Sequence, residues 1–143
     1  MVEVHINAGP YGDVPVGLLQ RGVRAALRHE GRRAGEVSVT LLGDEEIREL
    51  NLRYLGRGRS TDVLSFSLAE DPERPLADIY IGHDQAVRQA DDAGVELAEE
   101  LLRLAVHGVL HALGYDHPEV GREASEMFRI QEELVRSVMV GTP

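Results

Sequence analysis

Three histidines stand close together in the segment HGVLHALGYDH, at positions 107, 111 and 117. The apolar periodicity of residues 95–114 predicts a helix that carries the first two. In such a helix His107 and His111 project from nearly the same face, about 5–6 Å apart, because four residues make slightly more than one turn. Two side chains that bind one metal ion need this geometry.

A third ligand direction is predicted just beyond that helix. Gly114 can adopt a left-handed conformation, which ends the helix and turns the chain back towards His117. Three neutral imidazoles leave the ion its full charge and one position for a water molecule, whose pKa falls to about 7 in a three-ligand zinc site. The spacing therefore predicts one Zn²⁺ on His107, His111 and His117, with other divalent transition metals as alternatives.

The residue after the first histidine decides between two chemistries. The spacing of the three histidines and of Gly114 is typical of metzincin proteases, which carry the general-base glutamate directly after the first histidine. This chain has Gly108 at that position. A helical glycine here indicates either close packing of a neighbouring element or room for a bulky substrate beside the metal, and in both cases the peptidase base is missing.

The composition fits one domain without disulfide bonds. The chain has 143 residues, 43% of them hydrophobic, which is enough for one core. It contains no Cys, no apolar run of the roughly 20 residues that a membrane span needs, and no signal-peptide pattern. We expect residues 1–143 to form a single cytoplasmic domain with no membrane contact. The net charge of −10 argues against indiscriminate nucleic-acid binding but permits a local basic patch.

Strands and helices are interspersed along the chain. Alternating patterns predict strands at 2–8, 36–42, 61–68 and 77–82, and helical patterns cover 12–31, 43–55, 83–94, 95–114 and 121–140. Strands 61–68 and 77–82 are joined too closely for a crossover helix. The fold class is therefore predicted as α+β, a mixed sheet of about four strands with helices packed on it, one of them a zincin-like metal helix.

The patterns also predict helix starts and buried faces. Asp13, Asp44 and Asp84 are predicted to open three of the helices, and Gly31 to end the first. Several apolar residues are expected on common faces: Ile47, Leu50 and Tyr54 inward from the second helix; Leu64, Phe66 and Leu68 on one face of the third strand; Leu102, Ala105, Val106, Val109 and Leu113 along the metal helix; Met127, Ile130, Leu134 and Val138 along the last helix.

Two longer motifs resemble a known family. HGVLHALGYDH is similar to the H-G-x-L-H-L-x-G-Y-D-H signature of the YbeY family of bacterial endoribonucleases, also called rRNA maturation factors, and NLRYLGRGRSTDVLSF resembles the family's N-x-x-Y-R-x-x-x-x-P-T-D-V-L-S-F. LADIYI is a weaker match to L-G-D-I-x-I, and the resemblance covers nearly the whole chain. It implies a metal-dependent, single-strand-specific endoribonuclease that acts in 3′-end maturation of small-subunit ribosomal RNA and in ribosome quality control, with zinc on the three motif histidines.

The chain departs from the second motif at one functional position. Leu55 stands where the family carries an arginine linked to RNA handling, and Arg57 and Arg59 are the candidates to replace it. Ser60 replaces a proline, and Ala77 replaces a glycine of the third motif.

Further candidates flank the histidines. Arg53, Arg57 and Arg59 form a basic cluster predicted to lack nearby acids, which either clamps phosphate groups or is a solvated loop. Asp62 is a candidate to accept a proton, to orient a histidine or to cap a turn, and Asp116 is a candidate partner of a histidine N–H or a turn residue. Tyr115 is assigned to base stacking or, more simply, to packing. The histidines outside the motif, at positions 5, 29 and 83, receive no role.

Three functions remain open when the residues are weighed together with what the resemblance implies. The first is an endoribonuclease in which Arg57, Arg59, Asp62 and Asp116 assist the metal, with single-stranded ribosomal RNA as substrate and ribosomal small-subunit proteins as possible partners. The second is a metzincin-like metalloprotease, which Gly108 disfavours. The third is a non-catalytic ribosome-assembly factor with a structural metal.

Overall fold

A computed structural model of the chain describes residues 1–56, 61–115 and 125–141. These residues form four strands and five helices. The elements are β1 (Val2–Asn7), α1 (Val16–His29), β2 (Gly35–Leu42), α2 (Asp44–Leu55), β3 (Val63–Ser67), β4 (Leu76–Gly82), α3 (His83–Ala93), α4 (Leu97–Ala112) and α5 (Glu126–Val140). Within the described ranges, no helix is long and apolar enough to cross a membrane.

The four strands form one mixed sheet in the order β1-β2-β4-β3. β1 pairs with β2 and β2 with β4 in parallel, and β3 pairs with β4 in antiparallel orientation. The short connection between β3 and β4 allows only this hairpin arrangement, whereas the parallel pairs are reached through helices. The predicted α+β class with a mixed four-stranded sheet is confirmed.

One face of the sheet is buried beneath helices. Val37 and Val39 of β2 and Ile79 and Ile81 of β4 are at most 1% exposed. They point towards α1 and α4, which pack against each other and against the strands. The predicted stripe of α4 is buried at Leu102, Ala105, Val106 and Val109 and half-buried at Leu113, and that of α5 is buried at Met127, Ile130 and Val138 and half-buried at Leu134. α4 is therefore the central helix on which the metal ligands are predicted.

The apolar face of β3 points away from α4. Ser65 pairs with Ile79 of β4, so the odd-numbered residues of β3 face the helix layer and Leu64 and Phe66 face the other side. Tyr54 of α2 lies on that other side with its ring 5.6 Å from that of Phe66, and it is 58% exposed. The prediction that Tyr54 faces inward is wrong, because α2 covers only part of this face.

Two predicted helix caps serve other partners. α1 begins at Val16, after Pro15, and the carboxylate of Asp13 lies 2.8 Å from Nε2 of His83 instead of capping α1. Asp84 is already inside α3, and its Oδ2 accepts a hydrogen bond at 2.9 Å from the backbone N–H of Asp44 at the start of α2. Asp13 therefore contacts the start of α3, and Asp84 contacts the start of α2. Sequence spacing does not reveal either contact, because the partners are far apart along the chain.

Candidate metal centre

His107 and His111 stand side by side on α4. Their ring centroids are 6.4 Å apart and the ring planes differ by 5°, as expected for residues one helical turn apart. His107 is half-buried, whereas His111 near the end of the helix is exposed. The structure therefore brings two of the three predicted ligands together with parallel rings at the protein surface.

The orientation of each ring is set by a hydrogen bond at Nδ1. Nδ1 of His111 lies 3.0 Å from the backbone oxygen of Tyr115, which can only accept, so this nitrogen carries the proton. Nδ1 of His107 lies 2.8 Å from Oε1 of Gln131 on α5. In a neutral imidazole with a protonated Nδ1, the lone pair is on Nε2, which is the atom that binds a metal.

Gln131 is a site residue that the sequence reading missed. It is only 5% exposed, and its amide nitrogen donates to Oε2 of Glu132 at 3.0 Å, which leaves Oε1 to face His107. A glutamine among the buried positions of α5, between Ile130 and Leu134, was the available signal. A buried polar side chain in an apolar stripe requires a polar partner.

An ion-pair network fixes α5 against α4 one turn before His107. Arg103 of α4 donates to Glu132 of α5 at 2.9 and 3.1 Å and also to Glu99 and Glu100. Hydrogen bonding to Glu132 raises the pKa of Arg103 further above its ordinary value, although burial opposes this. Burial raises the pKa of Glu132, but the hydrogen bonds from Arg103 and Gln131 outweigh it and the net pKa is lowered. The network keeps Gln131 in place beside His107.

Gly108 is required by close packing of α4 on the sheet. A Cβ atom at this position would lie 2.7 Å from Cγ2 of Ile79 and 3.1 Å from Oγ of Ser65. The hydroxyl of Ser65 donates to the backbone oxygen of Gly108 at 3.0 Å. Of the two explanations for this glycine, the packing explanation agrees with the structure.

Gly114 turns the chain as predicted. Its φ is +109°, and the backbone N–H of Tyr115 donates to the oxygen of Leu110 at 3.1 Å. This turn carries the oxygen of Tyr115 back to the ring of His111. The hydroxyl of Tyr115 donates to Glu30, the residue after α1, at 3.2 Å, and burial together with this hydrogen bond raises the pKa of Tyr115. Tyr115 therefore fits the packing assignment.

Of the remaining candidate site residues, the structure describes Asp62 and Arg53. Asp62 is half-buried just before β3, where its backbone oxygen accepts from the N–H of Gly82 at 2.9 Å and ties β3 to the end of β4. Arg53 pairs with Glu49 at 3.4 Å on the exposed side of α2, so the prediction that the basic cluster lacks nearby acids is wrong at this residue. The other candidates lie outside the described residues: Arg57, Arg59, Ser60, Asp116, His117 and the side chain of Leu55.

His83, to which the sequence analysis gave no role, is buried among polar and aromatic partners. His83, at the start of α3, is 8% exposed and stacks on Tyr11 with 4.0 Å between ring centroids. Its Nε2 contacts Asp13, and its Nδ1 lies 3.9 Å from Asp84. The contacts with Tyr11 and Asp13 join the loop after β1 to the start of α3, which directly follows β4.

Comparison with known proteins places these features in a family. The family model described as "Endoribonuclease YbeY" matches residues 16–139. The curated protein "Endoribonuclease YbeY" of Moorella thermoacetica is 43% identical over 90% of this chain and 90% of its own length, and that of Aquifex aeolicus is 43% identical over 83% and 80%. The solution structure of TM1509 from Thermotoga maritima is similar with a TM-score of 0.67 and 28% identity, over 99% of this chain and 91% of that one.

Proposed function

The chain belongs to the endoribonuclease YbeY family, and from this membership we propose that it is a metal-dependent endoribonuclease that cleaves single-stranded RNA. We further propose that it acts in 3′-end maturation of ribosomal RNA and in ribosome quality control, in the cytoplasm, with residues 1–143 as one catalytic domain. The proposed metal dependence is supported by one observation. The imidazoles of His107 and His111 lie parallel on α4, and each Nδ1 contacts a hydrogen-bond acceptor.

The residues fit a divalent transition metal. His107 and His111 would hold it through Nε2, and His117 is proposed as the third ligand from its place in the motif. Imidazole ligands favour zinc, and nickel or copper can also bind them. When bound, such an ion lowers the pKa of a coordinated water and polarises a phosphoryl oxygen.

The protein's own residues have separable roles in this proposal. Gln131 and the backbone of Tyr115 orient the two imidazoles and keep their Nδ1 atoms protonated. Arg57 and Arg59 bind the phosphate groups of the RNA through their guanidinium groups, in place of the family arginine that is Leu55 here. Asp62 accepts a proton or positions a neighbouring group, and Asp116 accepts from a histidine N–H. Ribosomal small-subunit proteins are proposed as partners that guide the cleavage.

The two other functions are disfavoured on different grounds. A metalloprotease needs a general base after the first histidine, and Gly108 is instead packed against Ile79 and Ser65. An assembly factor with a purely structural metal would need the ion to hold α5 in place. Side-chain contacts of Arg103 and Gln131 already join α4 to α5 without involving a metal ligand atom at Nε2.

The proposal is tested by cleavage assays on the purified chain. Labelled single-stranded RNA, double-stranded RNA and casein are incubated with the protein, with the protein after chelation, and with the chelated protein after zinc is restored. We expect cleavage of single-stranded RNA alone, lost on chelation and recovered with zinc. His111→Ala should abolish cleavage, whereas His29→Ala, which removes an exposed histidine from α1, should retain it. Cleavage by folded His111→Ala or by the chelated protein would contradict the proposal.

A further inference from the structure

A group of three potential metal ligands lies on the face of the sheet opposite α1 and α4. Glu3 and His5 of β1 and Glu36 of β2 each offer one ligand atom, and these atoms all lie within 4.8 Å of one another. Glu3 and Glu36 are direct neighbours in the parallel pairing, and His5 is two residues along the same face. The site is built on paired strands, so its backbone is rigid.

Two carboxylates lie side by side in this group, and a bound cation would reduce the repulsion between them. Adjacent carboxylates on neighbouring strands repel each other and destabilise the pairing. Among the residues that the structure describes, His5 is the one basic side chain within ion-pair distance of Glu36, with its Nε2 3.7 Å from Oε2, and none lies within that distance of Glu3. The single side chain of His5 carries at most one positive charge beside two carboxylates, whereas a divalent ion bound by all three groups balances both.

The distances are close to those that coordination needs. Tetrahedral zinc with ligands at roughly 2.0–2.2 Å requires ligand atoms about 3.4 Å apart. The distance between His5 and Glu36 already approaches this value. The side chains of His5 and Glu36 are 51% and 41% exposed, and Glu3 is exposed too, so small torsional changes can bring the three ligand atoms together.

A surface cavity borders the group. Its volume is about 470 Å³, and Glu3 and Glu36 line it together with Arg74. The cavity provides room for the water molecules that complete the coordination of a three-ligand site. Because one ligand is an imidazole, the ion is a divalent transition metal rather than Mg²⁺ or Ca²⁺, which prefer oxygen ligands.

We propose that Glu3, His5 and Glu36 form a second, solvent-exposed binding site for a divalent transition metal, separate from the histidines of α4. The proposal does not depend on the endoribonuclease function, because α4 lies on the other face of the sheet. It predicts that the chain of 143 residues binds two equivalents of zinc.

The test is a zinc titration of the full chain followed by NMR of the histidine rings. It is carried out in His111→Ala, to weaken the α4 site, and the His5 signal is assigned by its loss in His5→Ala/His111→Ala. We expect the His5 ring signals to shift with zinc and saturate near one equivalent, and to remain unmoved with the same concentration of Mg²⁺. In the same background, Glu36→Gln should weaken this binding at least about tenfold, and Glu45→Gln, an exposed glutamate of α2, should not.

Three outcomes would overturn the proposal. If the His5 signals stay in place at a tenfold excess of zinc, the group is a surface ion pair only. If Mg²⁺ shifts them equally, or if Glu36→Gln binds as its parent does, the effect is general charge screening. Loss of RNA cleavage or of zinc at the α4 histidines leaves these readouts unaffected, so the two proposals fail separately.

Discussion

The Nδ1 atom of His107 on α4 lies 2.8 Å from Oε1 of Gln131 on α5. This contact links the orientation of a proposed metal ligand to a buried residue on another helix. The carboxylate of Glu132, which holds the amide of Gln131, is itself held by Arg103. The proposed metal centre therefore depends on the packing of α5 as well as on the histidine motif.

Replacing Gln131 should weaken zinc binding without unfolding the protein. In Gln131→Leu the ring of His107 loses its acceptor, and loss of such a partner typically costs about 10–100-fold in metal affinity. Zinc dissociation constants from competition with a chromophoric chelator measure the effect. Gln89→Leu is the matched control, since Gln89 is a part-buried glutamine that bonds to Glu100 and does not contact the histidines. Equal zinc affinities in the two variants would show that Gln131 does not orient His107.

A methyl group at Gly108 should destabilise the fold. In Gly108→Ala the new Cβ meets Ile79 and Ser65, and such overpacking costs about 1–3 kcal/mol, more than the helix gains from replacing glycine. The matched substitution Gly17→Ala on α1 meets only Arg21, at 3.8 Å, and should be neutral or stabilise by up to about 1 kcal/mol. Urea unfolding measures both. A Gly108→Ala variant as stable as Gly17→Ala would contradict the close packing of α4 on the sheet.

The ion pair between Arg103 and Glu132 should make stability depend on acid pH. Because the pKa of Glu132 is lowered in the folded state from its ordinary value of 4.5, its stabilisation is present above that pH and is lost as the pH falls through the folded pKa. Glu132→Gln removes this contribution, so its free energy of unfolding should decline less than that of the wild type between about pH 5 and pH 3.

That comparison is made by urea unfolding with chelator present, so that metal release does not contribute. Glu133→Gln is the control, because Glu133 forms an exposed pair with Arg129 at 3.4 Å. A pH profile of Glu132→Gln that is parallel to those of the wild type and of Glu133→Gln would exclude the linkage.

Removing the carboxylate of Asp13 should destabilise the fold, because His83 is buried against it. In Asp13→Ala the imidazole, which is 8% exposed, loses the acceptor at its Nε2, and an unsatisfied buried polar group costs about 1–3 kcal/mol. Asp91→Ala, at an exposed position of α3, should change stability by no more than about 0.5 kcal/mol. Thermal unfolding of the two variants gives the comparison, and equal melting temperatures would rule out a stabilising contact between Asp13 and His83.

The sequence predicted the elements better than the contacts between them. Periodicity located all four strands, and the spacing of His107 and His111 predicted their shared face, because both depend on local geometry. Tyr54 was misjudged because the partial cover that α2 gives to its side of the sheet is a tertiary feature. Gln131 and Asp13 were missed or misassigned for the same reason: their partners lie 24 and 70 residues away.

The most direct test of the metal centre is anomalous diffraction at the zinc edge from crystals grown with zinc. We expect a peak about 2.0–2.1 Å from Nε2 of both His107 and His111, with His117 as the third protein ligand. Their Nδ1 atoms should remain hydrogen-bonded to Gln131 and to the backbone of Tyr115. A fully occupied zinc bound elsewhere with no peak between these two rings, or coordination through Nδ1, would contradict the account.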